Sequence, residues 1–213
     1  MIRFKCLTFN PFQENTWIIW NDENDCVILD PGCSNSEEES LLSGFIDEKE
    51  LKPKAVWLTH CHIDHVLGLQ FCLNNWGLPY FLHPLEAAQL KSVEVYAPLY
   101  GIHSFRMPEG PGFEITTGQL TLGEEPFEII HLPGHSPGHL AFHHSSSGQI
   151  WAGDVLFFES IGRTDLPGGS MTELTESIRR KLYNLPAETI VYPGHGPKTD
   201  IGHEMRLNPF VRP

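Results

Sequence analysis

The chain has 213 residues, of which 40% are hydrophobic and 19% charged, a composition typical of a soluble globular protein that buries a large core. Its length suits one large domain or two closely packed halves, and no apolar run is long enough to span a membrane. The formal net charge of -13, with only 14 lysines and arginines, argues against a nucleic-acid partner, because a phosphate backbone requires a basic surface. We therefore expect a small-molecule substrate, with no nucleic-acid or membrane partner.

The amino terminus and the cysteines both indicate a cytoplasmic protein. Residues 1–7 alternate like a strand and lack the apolar segment and small-residue cleavage site of a signal peptide. The five cysteines are odd in number and follow no spacing pattern, which favours reduced thiols over a disulfide framework.

Strand and helix patterns alternate along the first sixty residues. Strands are predicted over residues 2–9, 16–20, 26–29 and 55–59. An N-cap signature, an acidic first turn and apolar residues at helical spacing predict an amphipathic helix over residues 34–48. Asp30 directly follows the third predicted strand. It is either solvated or placed to orient a neighbouring functional loop.

The densest group of potential metal ligands follows the fourth predicted strand, in the sequence Thr-His-Cys-His-Ile-Asp-His over residues 59–65. In an extended or turning segment His60 and His62 point to the same side, so one metal ion could bind both. Asp64 and His65 are predicted to begin a helix and to face a neighbouring point, where a second metal ion could bind. Cys61 alternates with the histidines and is expected to point away from the metal.

The pattern over residues 66–125 is less regular. The predicted elements are a helix that continues through residue 71, a strand over 78–82, a short helix over 84–90, and strands over 113–115 and 119–122. Prolines are frequent over residues 91–125, where we expect a linker between two halves. His83 and His103 are interpreted as structural and surface residues, respectively.

The second half of the chain repeats one arrangement three times. Strands are predicted over residues 127–132, 149–152 and 189–192. They are followed by Gly-His, Gly-Asp and Gly-His pairs that contain His135, Asp154 and His195. Glycine beside each potential ligand lets the backbone approach closely. If these strands end at one edge, they present all three ligands beside the histidine motif.

The second half also contains further histidines and two predicted helices. His139 is a candidate for holding a ligand in place. His131, His143 and His144 are interpreted as structural or exposed residues. Helices are predicted over residues 172–184 and 200–207.

These motifs, taken in order, resemble those of the metallo-β-lactamase superfamily over nearly the whole chain. Within it the chain is most similar to the glyoxalase II (hydroxyacylglutathione hydrolase) branch. The segments that carry this similarity are LPGHSPGH at 132–139, GDVLF at 153–157, GRTD at 162–165 and YPGHG at 192–196. Glutathione-specific members have an additional basic helical region, whereas only residues 196–213 follow His195. We therefore expect a short relative that lacks this region.

The resemblance implies an α/β fold, a four-layer αβ/βα sandwich that forms a single domain over residues 1–213. It also implies two divalent metal ions, with zinc expected and iron or manganese also compatible with imidazole and carboxylate ligands. The implied ligands are His60, His62 and His135 for the first metal ion, Asp64, His65 and His195 for the second, and Asp154 as the bridge between them. Asp64 and Asp154 are the expected catalytic carboxylates.

The implied activity is hydrolysis of an acyl thioester, with a metal-bridging hydroxide as the nucleophile. The alternatives are a mononuclear iron persulfide dioxygenase, whose sequences share the Gly-Arg-Thr-Asp segment, and a lactone hydrolase. A true β-lactamase is less favoured, because those enzymes usually lack the bridging aspartate. Arg163 is predicted to contact a carboxylate of the substrate. Its alternative role is a structural ion pair with Asp165 or another acid.

Overall fold

A computed structural model describes residues 1–103 and 105–213, which form two compact units. The first unit contains residues 1–115 and 122–125, and the second contains residues 116–121 and 126–213. The first change of unit, after Ile115, falls inside the stretch where the sequence predicts a linker. The prediction of a single domain over residues 1–213 stays a prediction. Among the described residues, none of the helices combines the length and apolar character needed to cross a membrane.

A mixed six-stranded sheet forms the centre of the first unit. Its strands, in spatial order, are β1 (Arg3–Phe9), β2 (Glu14–Trp20), β3 (Asp25–Leu29), β4 (Lys52–Trp57), β5 (Tyr80–Leu82) and β6 (Gly112–Glu114). The pairs from β1 to β3 are antiparallel, and the pairs from β3 to β6 are parallel. Parallel neighbours require crossover connections, which here contain helices. These helices are α1 (Ser36–Glu48), α2 (Ile63–Val66), α3 (Leu69–Trp76) and α4 (Ala87–Tyr96).

Helix α1 confirms the amphipathic helix that the sequence predicts. The side chain of Asn35 caps it by accepting hydrogen bonds from the backbone N–H groups of Glu37 and Glu38, at 3.1 and 3.0 Å. Acidic residues in the first turn complement the helix dipole. Leu42 and Ile46, four residues apart, bury one face of the helix in the core of the first unit.

The single helix predicted from Asp64 through residue 71 is wrong, because α2 and α3 are separate helices. The helical conformation is interrupted at Gly68, whose N–H donates to the carbonyl oxygen of Pro31 at 2.8 Å. A Cβ atom at Gly68 would lie 2.2 Å from the Sγ atom of Cys33. The close approach of the segment after β3 therefore interrupts the helix, and only glycine allows it.

The short helix predicted over residues 84–90 is also longer in the structure. A 3-10 turn at Pro84–Glu86 leads into α4, and a second 3-10 turn follows at Ala97–Tyr100. Leu90 and Val93 face the core, whereas Val95 on the same helix is exposed. The apolar pattern of this segment therefore does not identify its buried face.

Nearly all residues of another six-stranded sheet belong to the second unit, and the strands predicted there are confirmed. Its spatial order is β14 (Thr199–Asp200), β13 (Ile190–Pro193), β10 (Gln149–Gly153), β9 (Leu140–His144), β8 (Glu125–His131) and β7 (Gly118–Leu122). Strand β9 is antiparallel to both β8 and β10, and β10 is parallel to β13. Strands β8, β10 and β13 therefore run in one direction, and their carboxyl ends lie at the same edge of this sheet.

Two helices and a small hairpin complete the second unit. The predicted helix over residues 172–184 is an α-helix, α5 (Met171–Ser177), that continues as a π-helical turn at Ile178–Leu182. The predicted terminal helix is α6 (Ile201–Leu207), capped by the side chain of Asp200. The hairpin of β11 (Leu156–Phe157) and β12 (Ser160–Ile161) was not predicted, because strands this short carry no readable alternation.

Candidate metal centre

The first ligand group consists of His60, His62, Asp64 and His65, in the loop after β4 and in α2. The ring of His60 lies 4.7 Å from that of His62 and 4.1 Å from that of His65, measured between centroids. The Nε2 atom of His65 is 3.7 Å from the Oδ2 atom of Asp64. The histidines are buried, and the Asp64 side chain is only slightly exposed. The first unit therefore gathers all four predicted ligands of this motif at one place.

The side chain of Asp30 orients the first ligand group through hydrogen bonds. Asp30 is almost fully buried, at 1% exposure, and its side chain accepts hydrogen bonds from the Thr59 backbone N–H at 2.7 Å and the Thr59 hydroxyl at 2.6 Å. The Nδ1 atom of His65 lies 3.1 Å from the same carboxylate. A carboxylate accepts only, so Nδ1 of His65 donates and its Nε2 atom keeps the lone pair that a metal ion requires. The structure therefore supports the role in which Asp30 orients the neighbouring loop, and not the role of a solvated residue.

Thr59 extends the same hydrogen-bond chain to His60. The Thr59 hydroxyl donates to Asp30 and lies 3.0 Å from the Nδ1 atom of His60, from which it accepts. His60 therefore also keeps the lone pair of Nε2 for a metal ion. Asp30 reaches this position through a left-handed backbone conformation with φ of 50°, which aspartate adopts more readily than most residues.

Two buried glutamates that the sequence did not single out also contact the motif. Glu86 accepts a hydrogen bond from the backbone N–H of Cys61 at 2.9 Å. Glu14 accepts from the hydroxyl of Thr16 at 2.8 Å, and its other carboxylate oxygen lies 4.0 Å from Nδ1 of His65. Burial raises the pKa of Glu14 well above its usual range. Sequence reasoning could have identified Glu14 from its spacing to Thr16, because residues two positions apart lie on one face of a strand such as β2.

Cys61, within the motif, is unsuited to be a thiolate ligand or nucleophile. It is fully buried, and burial, together with the negative charge of Glu86, raises the pKa of its thiol well above the usual range. The thiol therefore stays protonated at neutral pH. Cys61 packs in the hydrophobic core of the first unit, and its expected direction away from a metal ion stays a prediction.

The second ligand group consists of His135, Asp154 and His195, which follow the carboxyl ends of β8, β10 and β13. The Oδ2 atom of Asp154 lies 3.6 Å from Nε2 of His135 and 3.4 Å from Nε2 of His195. One carboxylate oxygen thus faces two imidazole nitrogens. The second unit therefore brings these three predicted ligands together, although they are far apart in the sequence.

Backbone contacts fix the orientation of this second group. The Nδ1 atom of His135 donates to the carbonyl oxygen of Arg163 at 2.8 Å, which leaves its Nε2 atom facing Asp154. The fully buried Nε2 atom of His139 accepts from the backbone N–H of Asp154 at 3.0 Å, so His139 has the supporting position expected for it. Gly134 has φ of 133°, and a Cβ atom there would lie 2.2 Å from the backbone nitrogen of Leu174. Only glycine fits before His135.

The side chain of Arg163 makes an ion pair in this structure. It is 60% exposed and donates two hydrogen bonds to Asp165, both 2.7 Å long. The hydrogen bond from Arg163 lowers the pKa of Asp165 to about 2. This is the alternative role that the sequence left open, and contact with a substrate carboxylate stays a prediction.

The other histidines make local contacts. The Nδ1 atom of His83 accepts from the backbone N–H of Leu85 at 3.2 Å and so caps the turn before α4. His131 lies 2.8 Å from the carbonyl oxygen of Pro137, and His144 packs on the ring of Phe127. These contacts agree with the structural roles predicted for them.

The chemistry of the two groups fits divalent metal ions. Imidazole nitrogens and carboxylate oxygens suit zinc, iron and manganese alike. The hydrogen bonds of His60, His65 and His135 at Nδ1 leave Nε2 as the donor atom in each case. Two mixed α/β units that each place histidine and aspartate beyond strand ends define a metal-binding α/β protein.

The chain belongs to the metallo-β-lactamase superfamily, whose family model matches residues 9–195. It is 36% identical to Probable metallo-hydrolase YqgX of Bacillus subtilis, over 99% of this chain and 98% of that protein. It is 38% identical to hydroxyacylglutathione hydrolase GloC of Haemophilus influenzae, over 94% of this chain and 93% of the relative. The family is one of metallo-hydrolases, and its histidine-rich clusters suit divalent metal ions.

Solved structures share the fold over almost the entire chain. The BLEG-1 B3 metallo-β-lactamase gives a TM-score of 0.86 at 36% identity and covers 98% of this chain and 99% of its own. TTHA1623 in a di-iron-bound form gives a TM-score of 0.87 at 38% identity, over 97% of this chain and 100% of its own. The predicted fold class, the α/β metallo-β-lactamase fold, is confirmed.

Proposed function

We propose that the protein is a dinuclear metal-dependent hydrolase that cleaves acyl thioesters. The first and second ligand groups together hold two divalent metal ions in this proposal. His60, His62 and His135 would hold one ion, Asp64, His65 and His195 would hold the other, and Asp154 would be shared between them. The observation that carries the proposal is the position of the Asp154 Oδ2 atom, 3.6 and 3.4 Å from the Nε2 atoms of His135 and His195. A carboxylate oxygen shared between two imidazole donors is suited to bridge two cations.

The metal ions, when bound, supply Lewis acidity that polarises a carbonyl and lowers the pKa of water to about 7. The side chains of the protein do the positioning. Asp30 and Thr59 hold His60 and His65 in the tautomer with a free Nε2 lone pair, and His139 fixes the backbone of Asp154. The protonated, buried Cys61 offers no nucleophile, so we expect hydrolysis without a covalent acyl-enzyme.

Thioesters are the proposed substrate class because of the similarity to hydroxyacylglutathione hydrolase GloC, at 38% identity. Arg163 is proposed to exchange Asp165 for a carboxylate of the substrate, since a guanidinium binds either one through two parallel hydrogen bonds. The ion pair of Arg163 and Asp165 is exposed. Such pairs are only weakly stabilising in water, so exchanging Asp165 for a substrate carboxylate costs little free energy.

Hydrolysis of β-lactams is the second candidate activity. It is favoured by the 36% identity and near-complete coverage shared with the BLEG-1 B3 metallo-β-lactamase. The bridging aspartate argues for the thioester as the better substrate, in keeping with the expectation from the sequence. Both substrates present a carbonyl that the same metal centre could polarise.

Metal reconstitution and a substrate panel test the proposal. Metal-free protein is reconstituted with zinc, iron or manganese, analysed for metal content, and assayed with an acylglutathione, a lactone, a β-lactam and a persulfide. We expect two metal ions per chain and fastest turnover of the thioester. Asp154→Ala should lower both metal content and rate, whereas Phe210→Ala, an exposed terminal residue, should change neither. A single metal ion in the active wild type, or an Asp154→Ala protein with two ions and full activity, would contradict the dinuclear assignment.

A further inference from the structure

An aromatic cluster lies beside the first ligand group, and the proposed chemistry does not use it. We define the aromatic rim as Phe12, Tyr96 and Tyr100, all in the first unit. Tyr100 meets Phe12 edge to face at 5.6 Å and Tyr96 at 6.2 Å, measured between ring centroids. Phe12 is 36% exposed and Tyr100 is 55% exposed, so water reaches both rings. Val95 and Leu99, which flank Tyr96 and Tyr100 in the sequence, are more exposed still.

Both segments of the aromatic rim contact the metal-ligand motif, one through hydrogen bonds and the other through helix packing. The side chain of Asn10 donates to the carbonyl oxygen of Asp64 at 3.0 Å, and its Oδ1 atom accepts from the backbone N–H of Phe12 at 3.0 Å. On the other segment, Tyr96 ends α4, which packs against α2, the helix that contains Asp64. The rim is therefore held at a fixed place next to Asp64, a predicted metal ligand.

The chemistry of these segments favours an apolar ligand. Residues 9–13 and 95–102 contain no charged side chain. A charged group that docked there would lose water without gaining an ionic partner. Exposed aromatic rings in edge-to-face contact offer instead a preformed apolar surface, which gains free energy when another apolar group covers it.

We propose that the aromatic rim binds an apolar group of the substrate, about the size of a phenyl ring, and so selects hydrophobic thioesters. The inference rests on the proposed thioester hydrolysis and specifies its substrate class. The apolar group is attached on either the acyl side or the thiol side of the thioester bond. The aromatic rim contributes to binding and takes no part in bond breaking, so its removal affects selectivity and not the chemistry.

Four thioesters test this selectivity on the metal-loaded protein. Two carry a small or a phenyl-bearing acyl group on a common small thiol, and two carry a small or a benzyl thiol on a common acetyl group. The wild type should prefer one phenyl-bearing substrate over its small counterpart about tenfold in kcat/KM, and the side that gives the preference identifies the group that is recognised. Tyr100→Ala and Phe12→Ala should each reduce that ratio about two- to tenfold, with little effect on the small substrates.

Conservative and distant variants serve as controls. Tyr100→Phe retains the ring and should keep the ratio, and Phe210→Ala removes an exposed aromatic ring outside the rim and should also keep it. Equal losses on all four thioesters, or an unchanged ratio in both rim variants, would overturn the proposal.

A binding measurement separates this inference from the proposed function. Thioether analogues, with a methylene in place of the carbonyl, are titrated by NMR into the metal-loaded protein. The phenyl-bearing analogue should bind about five times more tightly than the small one in the wild type and equally in Tyr100→Ala. If no thioester is cleaved but this difference is found, thioester hydrolysis is wrong and the apolar subsite stands. If thioesters are cleaved and both analogues bind equally to the wild type, the subsite is wrong.

Discussion

Replacing Asp30 with asparagine converts one buried carboxylate into an amide of nearly the same shape. Asparagine tolerates the left-handed backbone, with φ of 50°, as well as aspartate does, so the main chain is not strained. The amide oxygen can still accept from the backbone N–H of Thr59, which lies 2.7 Å from Oδ1. The new amide nitrogen would face the Thr59 hydroxyl and Nδ1 of His65, which lie 2.6 and 3.1 Å from Oδ2.

The expected loss follows from these contacts. Two hydrogen bonds to a charged acceptor disappear, and each is worth about 1.5–3 kcal/mol. An amide N–H beside His65 favours the tautomer in which Nδ1 accepts and Nε2 carries the proton, and a protonated Nε2 does not bind a metal ion. Loss of such a supporting hydrogen bond typically lowers metal affinity about 10- to 100-fold. We expect at least a tenfold rise in the dissociation constant of the metal ion that binds His65.

Chelator competition on metal-free Asp30→Asn and wild-type protein measures this change, together with thermal unfolding of the metal-free proteins. Glu204→Gln is a matched control, because Glu204 is also fully buried and hydrogen-bonds to Glu159, Thr199 and Asn208. It should lower stability while metal affinity stays within about threefold. If Asp30→Asn bound metal as tightly as the wild type, or if Glu204→Gln weakened binding equally, the orienting role of Asp30 would be refuted.

Three further predictions concern the rest of the structure. His139→Leu removes the acceptor for the Asp154 backbone N–H and should weaken metal binding about tenfold by the same chelator assay, whereas unchanged affinity would rule out the supporting role. Burial raises the pKa of Cys26 to about 12 and that of Cys6 to about 11, so a disulfide reagent at pH 8 should react far more slowly with native than with unfolded protein; fast reaction of several native thiols would contradict the buried environment. Arg163→Ala should reduce kcat/KM for an anionic thioester about 10- to 150-fold and for a neutral one far less, whereas equal losses would leave only the ion pair with Asp165.

The sequence predicted those parts of the site that depend on local spacing. His60 and His62 alternate after a buried strand, and His135 follows a strand and a glycine, so residue type and strand position were enough to select them. Strand assignments were successful for the same reason, because alternation and apolar runs are local signals.

The missed features depend on contacts between distant segments. The break at Gly68 arises because Pro31 and Cys33 approach it, and no pattern within residues 64–71 records that approach. Glu86 appeared as a polar residue of a short helix, and only the fold brings its carboxylate to the backbone of Cys61. The helix predicted over residues 84–90 ends earlier than α4 does, because exposed Val95 obscures the buried face formed by Leu90 and Val93.

The two ligand groups differ in how much of the chain must fold before their donor atoms meet. Three histidines and an aspartate of the first group lie within residues 60–65, so an unfolded chain still presents them as a short flexible chelate. The second group requires the ordered ends of β8, β10 and β13. A metal ion can therefore bind the denatured chain through the first group, and such binding subtracts from the stabilisation that metal gives the native state. Added metal should raise the unfolding temperature by less than its affinity for the native state alone would predict. Excess metal present during refolding can bind residues 60–65 before the second sheet has formed.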